Sequence, residues 1–335
     1  MTQPEGTQPE GTQPEGTQPE GRSQPPATQG PFQELRPLMF SIAYRMTGSV
    51  SDAEDIVQEA FLGLARGLSE GTVVESPKAY LATATTRHAI NHLRSARVRR
   101  EAYVGTWLPE PLVAEEGRPP QPAAAPDPAE RAELADSLSM AFLVMLESLA
   151  PVERAVFLLR EVFGYDYAEV ARIVGKSEQN CRQIFARARQ HIGDRRPRFE
   201  SSRAQGEELA RRFFAAAAGG EMDALLELLA PDVVFVGDGG GKALAVKEPL
   251  HGQVRVARFI AGLFRRGAQL HAELRPAWVN GQPGGLALDP DGRVISVFTL
   301  DIADGTVQAI RSVVNPDKLV HLGPVSDLGL APGDG

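Results

Sequence analysis

Between Asp166 and Ile192 the chain reads as two short helices joined by a glycine turn. Asp166 and Glu169 form an acidic version of a capping box, Gly175 marks the turn, and Ser177 can cap the second helix. On a helical wheel Cys181, Ile184, Phe185, Ala188 and Ile192 share one face at the i, i+3, i+4 spacing. Gln179, Arg182, Gln183, Arg187 and Gln190 share the other. Amides and guanidinium groups pair bidentately with adenine and guanine edges in a major groove. The second helix therefore reads as the recognition helix of a helix-turn-helix. Arg182, Gln183 and Arg187 are the principal candidates for base or phosphate contacts; Gln179 and Asn180, near the helix N-terminus, are also placed for DNA. An Arg/Gln face is more often plain solvated surface, so the surroundings decide the matter.

The 335 residues leave room for two or three domains. A single cysteine, Cys181, excludes an internal disulfide framework and a cysteine-cluster zinc site, and its helix face marks it as a small core residue. No metal, cofactor or catalytic site is expected. No signal-like start and no run of about 18 apolar residues occurs, so the expectation is a soluble, cytoplasmic protein with no membrane partner. The net charge of −8 predicts weak DNA binding by the chain alone. Local patches nevertheless exist: Arg87, Arg94, Arg97, Arg99 and Arg100 form one, and Arg182, Arg187, Arg189, Arg195, Arg196 and Arg198 another.

Met1 is followed by four copies of Thr-Gln-Pro-Glu-Gly, and residues 1–31 are expected to be a disordered tail. Residues 32–100 read as a helical domain. Ser51-Asp52-Ala53-Glu54 is a capping box, and Ala53, Ile56, Val57, Ala60 and Leu64 make the apolar stripe of the helix it opens. Asp52, Asp55, Gln58 and Glu59 lie off that stripe. A polar loop spans Gly67 to Pro77, and Pro77 starts a helix ending in the basic segment 94–100. Residues 101–130 form a linker holding Trp107-Leu108-Pro109-Glu110-Pro111, whose indole is expected to dock on something. Residues 131–198 are helical and contain the helix-turn-helix; residues 199–206 are a second linker.

From Glu207 the pattern changes. Two helices over 207–229 precede strands at 233–236, 274–279, 286–288, 294–300 and 307–314, read as an antiparallel run with Gly/Asp turns. The expected architecture is multidomain: two all-α units followed by an α+β unit over 207–325.

These segments resemble a known family. Asp52-Ala53-Glu54-Asp55-Ile56-Val57-Gln58-Glu59-Ala60-Phe61 is similar to region 2.2 of the extracytoplasmic-function (ECF) sigma factors, the helix that docks on the clamp of RNA polymerase. Asn91-His92-Leu93-Arg94-Ser95-Ala96-Arg97 resembles the end of region 2.4, which meets the −10 element. Leu149-Ala150-Pro151-Val152-Glu153-Arg154 through His191 resembles region 4, which reads the −35 element. The C-terminal part resembles the cone-shaped SnoaL-like domains, and a SigJ-like subgroup fuses the two. That subgroup carries the Trp-Leu-Pro-Glu-Pro motif and two others, here Asp238-Gly239-Gly240-Gly241-Lys242 and Asn315-Pro316-Asp317-Lys318-Leu319.

The resemblance implies a bacterial alternative sigma factor, regulated by its own fused domain. Asp52, Asp55, Gln58 and Glu59 would face the polymerase. Asn91, Arg94, Arg97, Arg99 and Arg100 would hold the −10 strand, with Tyr80 and Tyr103 as aromatic candidates beside it. Trp107, Leu108 and Pro109 of the linker, with the motifs at 238–242 and 315–319, would form the contact between the SnoaL-like domain and the sigma core. The glycine loop also suits an anion bound by backbone N–H groups and Lys242, and Asn315 suits an Asx-turn. SnoaL-like domains often bind small apolar molecules; Phe235, Trp278 and Phe298 could line such a pocket, and Asp238, His251, His271 and Asp301 are conceivable acid/base groups. The alternative reading is a helix-turn-helix regulator whose third domain is a small-molecule sensor or an enzyme.

Overall fold

The computed structural model describes residues 32–101, 103–114, 137–193 and 203–329, with side chains described except at 96–101. The repeat tail, the middle of the first linker and the segment holding Arg195, Arg196 and Arg198 lie outside the described residues.

Three helices open the fold: α1 (Arg36–Thr47), α2 (Val50–Ser69) and α3 (Pro77–Glu101). Gly48 stops α1 in the left-handed conformation (φ 68°). The buried side of α2 is Ala53, Ile56, Val57, Ala60 and Leu64, as its periodicity predicts. Its start differs from expectation. Ser49, not Ser51, is the N-cap and accepts from the Asp52 N–H, and the far end runs to Ser69, past Gly67. In α3 the buried residues include Ala82, Thr85, Thr86 and Ala89. Small and hydroxylated side chains carry little hydropathy signal, which is why its inner face was not legible.

Four helices follow: α4 (Met140–Leu146), α5 (Pro151–Phe157, continued by a π turn over Leu158–Val162), α6 (Tyr167–Val174) and α7 (Glu178–Gly193). The Asp166/Glu169 capping box is formed, Gly175 closes α6 in the left-handed region, and Ser177 accepts from the Asn180 N–H. Cys181, Ile184, Ala188 and Ile192 are buried, so α6 and α7 make the helix-turn-helix. One apolar core is continuous through both helical units, from Met39 to Ile192. Two arginines join them. Arg87 donates to the carbonyls of Ile173 (3.0 Å) and Arg172 (3.1 Å) at the end of α6. Arg154 donates to the Met46 carbonyl (2.6 Å) and pairs with Glu147 (2.7 Å). Burial lowers the Arg154 pKa to about 9, which leaves it cationic at neutral pH.

The C-terminal unit contains α8 (Arg203–Gly219), α9 (Met222–Leu228), β2 (Leu229–Asp238), β3 (Leu250–His251), α10 (Gln253–Gln269), β4 (Glu273–Val279), β5 (Gln282–Leu288), β6 (Val294–Ala303) and β7 (Thr306–Val313). With β1 (Val113–Ala114), the sheet runs β1-β4-β5-β6-β7-β2-β3. That first strand comes from the linker and pairs antiparallel with β4. Two expectations are corrected, and one helix is added. The pairing of β2 with β7 is parallel, because α10 and the β4–β6 meander intervene between them. The long helix α10 was not foreseen, although Val256, Ala257, Ile260 and Ala261 recur at helical spacing opposite its arginines. Residues 203–206 of the expected second linker are helical, because α8 begins at Arg203.

The sheet has an apolar cluster on each side. Phe213, Phe214, Val256, Ile260, Phe235, Phe298, Leu300 and Ile310 fill the space between sheet and helices. On the other side Val279, Val297, Val313 and Leu319 pack against Leu108 of the linker and Met140 of α4. No helix among the described residues is long and apolar enough to cross a membrane.

Candidate functional site at the junction of linker and C-terminal domain

The last residue of β2, Asp238, is fully buried. A carboxylate at that depth is tolerable only if its oxygens are satisfied. Oδ2 accepts from the Leu108 N–H (2.7 Å) and from Lys318 Nζ (2.7 Å); Oδ1 accepts from the Gly240 N–H (3.1 Å) and the Tyr103 hydroxyl. Lys318, itself buried, also donates to the Leu108 carbonyl. Its ammonium lies 4.4 Å from the Trp107 ring centroid and 4.7 Å from that of Tyr103, an arrangement suited to cation–π attraction. Both backbone polar groups of Leu108 are thus held by the C-terminal domain.

Tyr103 accepts from Asn315 Nδ2 (2.8 Å) while donating to Asp238. Burial, and next the bond to the Asp238 carboxylate, hold its phenol well above the usual range. Asn315 makes the expected Asx-turn, accepting from the Asp317 N–H at 3.1 Å. Gly240 sits at φ 58° against the Asn315 side chain, where a Cβ would collide. Lys242 is not left for an anion: it pairs with Asp317 at 2.6 Å on the surface. That exposed pair adds little stability.

The same linker reaches the first helical unit. Trp107 lies over Gly48, where any Cβ would stand 2.6 Å from the ring. The Glu110 carboxylate accepts from the Ser49 hydroxyl (2.8 Å), the Val50 N–H (2.7 Å) and the Ser51 N–H (3.3 Å). It is a second cap on α2, placed where the helix dipole favours an anion. Glu110→Gln keeps one acceptor and removes the charge, so a loss of about 1 kcal/mol is expected in equilibrium unfolding.

Asn280 completes the junction. It is buried at φ 52° between β4 and β5. Its backbone N–H donates to the Leu112 carbonyl (2.8 Å), and its Oδ1 accepts from the Leu112 N–H (2.9 Å). Its Nδ2 donates to the Tyr44 hydroxyl (2.7 Å) and the Leu138 carbonyl (3.0 Å). One side chain therefore touches α1, the linker and the approach to α4. Tyr44 passes the chain on by donating to the Glu110 carbonyl at 2.6 Å.

Residues 32–99 match the family model for Sigma-70 region 2, residues 139–192 that for Sigma-70 region 4, and residues 210–314 that for the SnoaL-like domain. The chain is 39% identical over 302 residues to the ECF RNA polymerase sigma factor SigJ of Mycobacterium tuberculosis, covering 86% of this chain and 91% of that protein. The chain belongs to the ECF sigma factors. A probable ECF RNA polymerase sigma factor SigI of the same species is 33% identical over 284 residues, 85% of this chain and 92% of SigI. The crystal structure of M. tuberculosis SigJ matches with a TM-score of 0.67 and 36% identity, covering 86% of this chain and 97% of that one. This ECF sigma factor is an alternative sigma factor with a fused SnoaL-like domain.

In its region 2, α2 carries Asp55, Gln58 and Glu59 exposed and Asp52 half-buried. Asp52 lies 3.1 Å from His92 Nε2, and Glu59 lies 3.1 Å from His88 Nδ1, so these two carboxylates turn toward α3. Asn91 and Arg94 are exposed on α3; the side chains of Arg97, Arg99 and Arg100 lie outside the described residues. In region 4, Gln179, Arg182, Gln183 and Arg187 are exposed and Asn180 is half-buried. The Arg182 guanidinium stands 4.9 Å from the Tyr167 ring centroid and pairs with Glu178 at 3.2 Å.

Trp107, Leu108, Asp238, Gly240, Asn315 and Lys318 come together in one cluster. Pro109 and Leu319 are buried beside it, Gly239 is buried, Pro316 is half-buried, and Gly241, Lys242 and Asp317 are at the rim. Tyr103 is corrected as an aromatic for the −10 strand, because it is consumed in this cluster; Tyr80 stays exposed on α3. The acid/base candidates are not assembled into one site. Asp238 is engaged as described, Asp301 pairs with Arg311, and His251 and His271 are exposed. Phe235 and Phe298 belong to the cone cluster, whereas the Trp278 indole donates to Glu207 at 3.1 Å. Asn280, Tyr44 and the capping role of Glu110 were missed. Asn280-Gly281 between two strands does signal a tight hairpin, but nothing in it announces a side chain reaching outward.

Proposed function

We propose that the SnoaL-like domain governs this sigma factor by setting how its linker is held, and with it the spacing of the two DNA-reading units. The observation that carries this reading is the double capture of the Leu108 backbone, its N–H by Asp238 and its carbonyl by Lys318. In this reading α2 docks on the clamp of core RNA polymerase through Asp52, Asp55, Gln58 and Glu59. Charged pairs of this kind set encounter rate and register more than raw affinity. Asn91 and the arginines from Arg94 to Arg100 hold the −10 strand, and the exposed face of α7 reads the −35 duplex. A ligand or partner would act by binding one docked arrangement better than another.

Arg182 tests the DNA half of the proposal. Stacking on Tyr167 and pairing with Glu178 hold its guanidinium in place on an exposed face. Arg182→Ala is expected to cost about 1–3 kcal/mol of binding to a cognate −35 duplex if the contact is to a base edge. Titration of labelled duplexes checks it; unchanged affinity takes Arg182 off the contact list.

A further inference from the structure

Among the described residues, one charged surface outside the sites above lies on α10. Arg255, Arg258, Arg265 and Arg266 are all exposed, and at 100° per residue they fall within about one-third of the helix circumference. Val256, Ala257, Ile260 and Ala261 are buried on the opposite side. No aspartate or glutamate occurs between Gln253 and Gln269. Among the described residues none of the four arginines has an ion pair. Gly262 stands in the middle of the stripe with open space over it. A chain of net charge −8 thus keeps four unneutralised guanidiniums on one face of its third domain.

We propose that this stripe binds the phosphate backbone of duplex promoter DNA, outside the elements that regions 2 and 4 read. Guanidinium forks match phosphate oxygens, and all four cations here are arginine. From Arg255 to Arg266 the helix rises about 16 Å, the axial length of about five phosphates along one strand at about 3.4 Å each. The missing side chain at Gly262 lets a strand lie close between the two arginine pairs. Such contacts carry no sequence information; they add affinity and salt dependence. The inference rests on the sigma reading for the presence of DNA, and goes beyond it by making the SnoaL-like domain a DNA-contacting module.

The test uses full-length protein assembled with core polymerase, on a promoter duplex and on a scrambled duplex of equal length, across a salt series. The variant is the fourfold Arg255→Gln, Arg258→Gln, Arg265→Gln, Arg266→Gln. It should bind both duplexes at least tenfold more weakly at low salt, and its slope of log affinity against log salt should be shallower by about 3 to 4. The pairs Arg255→Gln/Arg258→Gln and Arg265→Gln/Arg266→Gln should each give about half of that change in slope. Wild-type slope and affinity in the fourfold variant would overturn the proposal. So would a loss confined to polymerase assembly measured without DNA, which would assign the stripe to an acidic protein surface. The two readings fail separately: failed promoter recognition appears as wild type binding both duplexes alike, while the stripe is still decided by the difference in slope.

Discussion

Asp238→Ala is expected to destabilise this sigma factor by about 3–5 kcal/mol, the usual cost of removing one partner from a buried ion pair. The substitution strands the Lys318 ammonium at a buried position and strips partners from the Leu108 N–H and the Tyr103 hydroxyl. Denaturant unfolding measures the total. Hydrogen exchange localises it: the Leu108 amide should lose protection before the helices of region 4 do. The double variant Asp238→Leu, Lys318→Met should recover much of the loss, because two apolar side chains remove both uncompensated charges. A single variant indistinguishable from wild type would mean that the cluster does not fasten the linker.

Asn280→Ala is the second large effect, expected at about 3 kcal/mol from several buried groups left unpaired at roughly 1 kcal/mol or more each. Leu112 loses its acceptor, and Tyr44 and Leu138 lose a common donor. The backbone adds its own part, since alanine at φ 52° costs about 1–2 kcal/mol that glycine does not. Asn280→Gly should therefore fall between wild type and Asn280→Ala, with the gap measuring conformational strain. Equal stability of the alanine and glycine variants would remove the strain component, and wild-type stability in both would remove Asn280 from the junction.

The helix-turn-helix was legible because its signals are local: a capping box at Asp166 and Glu169, a glycine at 175 and a clean apolar face from Cys181 to Ile192. The stripe of α2 was legible for the same reason. The junction was only half legible. Trp107 beside two prolines announces docking, and the motifs at 238–242 and 315–319 stand out as short polar punctuation. Which atoms meet is a matter of tertiary geometry that spacing does not encode. Glu110 caps a helix about sixty residues before it, and Asn280 reaches residues far away in the chain. The first strand of the sheet is two residues long and is a strand only because β4 lies beside it. The parallel pair β2–β7 depends on where α10 returns the chain, and that return is set by tertiary packing.

The most direct test of the central claim is transcription by core RNA polymerase from a promoter bearing −35 and −10 elements, comparing the intact chain, Asp238→Ala and a chain ending at residue 200. All three should direct initiation at the same start site. The two released forms should differ from the intact chain in output by about threefold or more, in the same direction, a shift of at least about 0.6 kcal/mol. Equal output from all three would contradict control by the SnoaL-like domain, and absence of any directed transcript would contradict the assignment of the core itself.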